Sequence, residues 1–297
     1  MNLTELFCEI DDFCHDFEPK FNEKLITSSV QTIRNTPASR LCLSEILTII
    51  IYFHQSAHRT FKNYYLTKIF QYHQNDFPNL VSYSRFVELM PSSLIPLTYY
   101  LNSRKGKKTG LSFIDSTRLP ICHPKRAKRN KVFQGLAAWG NSSIGWFFGF
   151  KLHLIINEHG DILALKITPG NVDDRIPVPE LTKNLWGWLF GDKGYIKQKL
   201  WSELWSKNLK LITPLKRNMK NKLIESWEKI MLRKRAIIET VNDQLKNISQ
   251  ISHSRHRSII NFLVNVVAGL IAYTFQAKKP SLKLEKSGLM HLSSLSV

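Results

Sequence analysis

Acidic residues are scarce in this chain: 23 Asp and Glu stand against 42 Lys and Arg, a formal charge of +19 over 297 residues. With ordinary hydropathy, that surplus points to a polyanionic partner, nucleic acid ahead of a membrane surface. Cysteine is scarce too. Cys8, Cys14, Cys42 and Cys122 form no CxxC pair and have no histidine at zinc-finger spacing, which argues against a structural zinc site or a disulfide framework and favours a reducing cytoplasm. Acids follow Met1 where a secretory leader would carry positive charge and then an apolar run, so no leader is expected. Long apolar runs are nearly absent. The exception, "SIINFLVNVVAGLIAYTF" (258–275), is interrupted by Asn261 and Asn265 and reads as a buried core helix rather than a membrane span. No internal repeat is visible, and the length suits two domains.

Residues 1–103 read as an all-helical N-terminal domain. Leu3, Leu6, Phe7, Ile10, Phe13, Cys14 and Phe17 share one side of an amphipathic helix whose other side is acidic. Segments Ser44 to Gln55, Thr60 to His73 and Ser84 to Met90 follow, stopped by Pro78 and Pro91. The third is short and follows a turn, as in a helix-turn-helix reader of DNA or in plain helical packing. "NSRKGKKTG" contains a basic linker at 104–110, and the pattern then switches. Strands are expected at 111–119, 145–156, 161–168, around 185–195 and at 209–215. Helices are expected from Asp174 to Asn184, across "IKQKLWSELWSKN", and over 233–247. The order of an antiparallel meander continued by parallel crossovers is that of an α/β, ribonuclease H-like domain with a mixed five-stranded sheet, here over 111–277, with a disordered tail at 278–297.

In such a sheet the first and fourth strands are parallel neighbours, so Asp115 lies beside Asp192 at the carboxyl edge where open α/β sheets bind ligands. The helix after the fifth strand can bring Glu239 to the same place. On that helix Arg235, Glu239, Asp243 and Lys246 fall within one stripe, which by itself is also how spaced surface ion pairs look. Three carboxylates together repel one another and call for a cation; hard oxygen ligands favour Mg²⁺, with Mn²⁺ as substitute. Two such ions suit in-line phosphodiester displacement by water or a DNA 3′-hydroxyl. The basic residues crowding these acids (Arg235, Lys246, Lys193 and the 125–131 run with Arg126, Lys128 and Arg129) would grip backbone phosphates. Lys151 and His153 share a strand face and could reach phosphate or be structural. "HSRHRS" (253–258) offers Arg255, His256 and Arg257 for DNA or for helix-end acids. Some of the tryptophans at 139, 146, 186, 188, 201, 205 and 227 could stack on bases, although core packing suits most of them.

The motifs "FIDSTRLPICHPKR", "GWFFGFKLHLIIN", "TPGNVDDR", "FGDKGYI" and "RAIIETVNDQLK", in this order, resemble those of bacterial insertion-sequence transposases of the DDE type, most closely the insertion-sequence 982 family. The resemblance implies that Asp115, Asp192 and Glu239 are the metal-binding catalytic triad. It implies DNA contacts at Arg235 and Lys246, which keep the spacing Tyr-x2-Arg-x3-Glu-x6-Lys, with Leu232 where the tyrosine would stand. It also implies terminal inverted repeats and target DNA as partners, recognition of element ends by the helical domain, and at least a dimer on paired ends. A structure-selective nuclease of the same fold and a non-catalytic DNA-binding descendant are the competing readings.

Overall fold

The structure, a computed structural model, describes residues 1–27, 40–142, 145–215, 225–252 and 256–283. It divides into two units. One comprises Met1–Arg104, Leu245–Ile251 and His256–Ala277; the other comprises Lys105–Gln244, Ser252–Arg255 and Lys278–Val297.

Among the described residues the regular elements of the first unit are all helices. Helix Leu3–Thr27 buries Leu3, Leu6, Ile10, Cys14 and Phe17, the three-and-four spacing that its sequence lays down. Helices Leu43–Phe53 and Tyr83–Leu89 fall where expected, and the segment between them is helical from Phe61 to Tyr72 through a π turn at Tyr65–Ile69. Phe86, in the short helix after the turn, is fully buried against Phe61 and Tyr65. One helix escaped the sequence reading. Leu94–Ser103 starts straight after Pro91 and carries Pro96 in its first turn, where a missing N–H costs no hydrogen bond. Helix Ile259–Thr274 also belongs to this unit and not to the sheet-containing one, which corrects the expected boundary at 277. From Val264 to Thr274 it is continuously buried, and among the described residues no helix is long and apolar enough to cross a membrane. A Cβ on Gly269 would come within 2.4 Å of Ile251 Cγ2 and 3.1 Å of Ser249 O, so glycine is what lets these backbones close up.

The second unit is built on a six-stranded mixed sheet: β1 (Leu111–Cys122), β2 (Ala138–Ser142), β3 (Gly145–Ile156), β4 (Ile162–Pro169), β5 (Gly187–Phe190) and β6 (Leu209–Ile212). β1 and β3 are antiparallel, whereas β5 and β6 continue the sheet parallel to β1. The other edge of β3 is shared: β2 pairs with Gly145 to Gly149 and β4 with Phe150 to Ile156. Gly149 sits where the partners change. Across from it β1 bulges between Pro120 and Cys122, and a Cβ there would lie 2.3 Å from Leu119 O.

Three expectations are corrected here. β2 makes six strands rather than five. The helix expected from Asp174 to Asn184 is only the turn Val178–Leu181, because Pro177 and Pro179 supply no N–H and Pro177 disfavours helix at Ile176. The helix expected over 233–247 is two, Ser226–Lys234 and Ala236–Asn247, meeting at Arg235. The tail is also shorter than expected. Lys279 pairs with Asp161 and Leu282 N donates to Glu158 O, leaving 284–297 outside the described residues. On one sheet face Ile114, Ile155 and Leu189 pack with Val178, Leu181, Tyr195, Leu200 and Leu204 to form the core that fixes β1 and β5.

Candidate active site

Asp115 lies within β1, opposite Leu154 of β3. The parallel register pairs Phe113 with Phe190, so two residues further on Asp115 stands level with Asp192. Adjacent strands lie about 4.8 Å apart, which makes these two acids neighbours. Asp192 has left the strand. It caps a short turn over Lys193–Tyr195, its Oδ1 accepting a hydrogen bond from Gly194 N at 2.8 Å. Glu239 projects from the first turn of Ala236–Asn247, exposed, with Oε1 accepting from Arg235 Nη2 at 2.7 Å.

A residue the sequence reading passed over joins these elements. Asn242, one turn beyond Glu239 and only 6% exposed, donates its side-chain amide to Asp115 Oδ2 at 2.9 Å. The buried residue of the stripe is therefore Asn242, whereas Asp243, which the sequence reading placed in it, is exposed. Burial pushes the Asp115 carboxyl up to about 6; the Arg235 guanidinium works against this, while the negative charges of Asp192 and Glu239 add to it. The register beside Asp192 and the Asn242 bond from the helix of Glu239 put these side chains at one end of the sheet. Tyr195 borders them as well, its hydroxyl pushed up by burial and then by Asp115, Asp174 and Asp192.

Three carboxylates around a buried position, with one guanidinium to offset them, form a donor set that fits a hard divalent ion. It is not a ready-made cage. Among the described residues no three His, Cys, Asp or Glu side chains are close enough together to hold an ion. Asn242 occupies one oxygen of Asp115 and Arg235 one oxygen of Glu239, and neither bond involves the second oxygen of its carboxylate.

The expected phosphate-gripping residues separate into groups. Arg126, Lys128 and Arg129 are exposed on the turn Pro124–Arg129, and Lys193 is exposed beside Asp192. Arg257 is exposed and Lys246 half-buried, both in the helical unit, and Arg255 lies outside the described residues. Lys151 is only 14% exposed, and its ammonium donates to Val172 O and Asp174 Oδ1, both at 2.9 Å, and so fastens the 170–174 loop. His153 is fully buried, bonded through Nε2 to Thr168 Oγ1 at 2.8 Å. Trp188 and Trp227 pack edge to face, and Trp227 does the same with Phe190, so these two are structural; Trp201 stacks on Trp205. Trp139, Trp146, Trp186 and Trp205 remain exposed.

Residues 105–259, more than half of the chain, match the family model described as the transposase DDE domain. A comparison with curated proteins found no match.

Proposed function

Since the chain belongs to the transposases with a DDE domain, we propose that it cleaves DNA at the ends of an insertion sequence and joins the freed 3′ ends to target DNA. The observation that carries this reading is the parallel register that sets Asp115 level with Asp192, together with the hydrogen bond by which Asn242 ties Asp115 to the helix that carries Glu239. The meander with parallel continuation supports a ribonuclease H-like catalytic domain, and the order of the motifs supports the insertion-sequence 982 type. The three acids would hold Mg²⁺ or Mn²⁺ ions, which when bound activate the attacking oxygen and neutralise the leaving one. The chain's own contribution is to fix Asp115 on the sheet, to bring Glu239 to it on a packed helix, and to place Lys193 and the 124–129 turn where phosphates pass. Recognition of terminal repeats by the helical unit, at least a dimer on paired ends, and work in the cytoplasm complete the proposal.

Replacing Asp192 by Asn is expected to abolish Mg²⁺-dependent nicking of the terminal repeats that bracket the reading frame, while repeat binding persists; undiminished nicking refutes the assignment. Cut ends incubated with plasmid separate this reading from a nuclease, because only a transposase leaves joined product.

A further inference from the structure

Between Ser116 and Asn157 the chain contains no Asp or Glu, and its 123–131 stretch carries Lys125, Arg126, Lys128, Arg129 and Lys131. The same acid-free span includes the β2–β3 hairpin, whose register makes a directional statement. Residues directly opposite in antiparallel strands point to the same side, and residues two apart on one strand share a face. Asp115 faces Leu154, and from there Leu152, Phe150, Phe148 and Trp146 follow on the same side; Trp139 lies opposite Phe148 and joins them. The sheet face that carries Asp115 therefore runs on to three aromatic side chains at the hairpin. Phe150 is buried there under Phe133 (ring centroids 6.0 Å apart), which lays the 123–137 segment, with its cations, over this face. Trp139 and Phe148 lie 5.6 Å apart, centroid to centroid. Trp139 is 41% exposed and Trp146 64%.

We propose that the hairpin aromatics, with the 124–129 turn, form a second contact surface for the DNA whose scissile phosphate lies at Asp115, Asp192 and Glu239, and that Trp146 stacks on bases that are unpaired there. This rests on the reading of the three acids as the catalytic centre. Uninterrupted positive charge favours a polyanion over a second copy of this chain, and exposed indoles beside cations are how bases and backbone are held together where strands are open. Six residues separate Leu154 from Phe148 and eight separate it from Trp146, about 20 and 27 Å at roughly 3.4 Å per strand residue. At about 3.4 Å per nucleotide step, the surface meets DNA some six to eight nucleotides from the cut.

The test measures binding of the full chain to a fluorescein-labelled duplex of about 30 base pairs and to the same duplex with a central bubble of unpaired thymines. Wild type is expected to prefer the bubble. Trp146→Ala is expected to weaken bubble binding by about tenfold with little change on the duplex, and Trp146→Tyr to restore it. The exposure of Trp146 makes misfolding of these variants a minor concern, and circular dichroism checks it. Equal affinities of wild type and Trp146→Ala for the bubble overturn the proposal. So does a lower mass in sedimentation for Trp146→Ala with DNA binding intact, which makes the aromatic face an interface between copies. Asp192→Asn separates the two readings: if it still cuts, the catalytic assignment fails whatever the bubble data show, and if it does not cut while Trp146→Ala binds normally, only this surface is lost.

Discussion

His153 gives a pH dependence that can be calculated. Its ring is fully buried on β3, Nε2 is engaged by Thr168, and Nδ1 lies 3.9 Å from Asp174 Oδ1. Burial holds its pKa down to about 4 from an ordinary 6.5; Asp174 pulls upward, and Lys151 and Lys166 push further down. The folded chain thus keeps this imidazole neutral, whereas the unfolded chain protonates it near its ordinary value. Stability from this source is complete above about pH 6.5 and is lost progressively as the pH falls toward about 4. With those two values, linkage gives a loss of roughly 2–3 kcal/mol between pH 7.5 and 4.5. Carboxylates elsewhere also respond to acid, so the measurement is a difference: urea unfolding of wild type and His153→Gln at both pH values. The variant starts less stable at pH 7.5, and the gap should close by roughly 2–3 kcal/mol at pH 4.5 because glutamine takes up no proton. A gap that stays constant with pH refutes the argument, since His153 would then titrate alike in both states.

Lys151→Met should leave DNA affinity within about twofold of wild type while lowering stability by about 2 kcal/mol in thermal or urea unfolding, because it strands Asp174 and Val172 O in a half-buried pair. Neutralising Arg126, Lys128 and Arg129 together should do the reverse. Stability is unchanged, and the slope of log affinity against log salt in fluorescence anisotropy falls by up to about 0.9 per charge. Gly269→Ala should lower stability by about 1–3 kcal/mol in calorimetry through its collision with Ile251 and Ser249, with Asp192-dependent nicking retained by the molecules that stay folded.

How much of this was readable in the sequence depended on what kind of signal each residue leaves. β1 and β3 carry apolar runs long enough to announce themselves, and the spacing of Leu3, Leu6, Ile10 and Phe17 defines a helix face unaided. "AWGNS" does not: glycine, asparagine and serine have low strand preference, and β2 exists because the exposed edge of β3 offers it partners. Prolines misled in both directions, ending a helix at 91 where one soon begins and being overlooked at 177 and 179, where they cut one short. At the candidate site Asp192 drew notice because a charge between glycines at a strand end is conspicuous. Asn242 is a neutral amide in an amphipathic helix, and its role becomes visible only when β1 lies against that helix. Lys151 looked like any basic residue, because the carboxylate that claims it lies 23 positions away on a separate loop.

The 124–129 turn shows how little is needed to aim a cluster of like charges. Ala127 is buried in its midst, Pro124 opens it, and the backbone closes through Arg126 N to His123 O at 2.8 Å and Asn130 N to Ala127 O at 3.1 Å. A methyl group and two amides thus hold four mutually repelling side chains at fixed roots. On the proposed reading, an arriving phosphate chain would meet an array whose main chain is already in shape, so attraction would not be spent on freezing a loose arm and only the side-chain tips would settle.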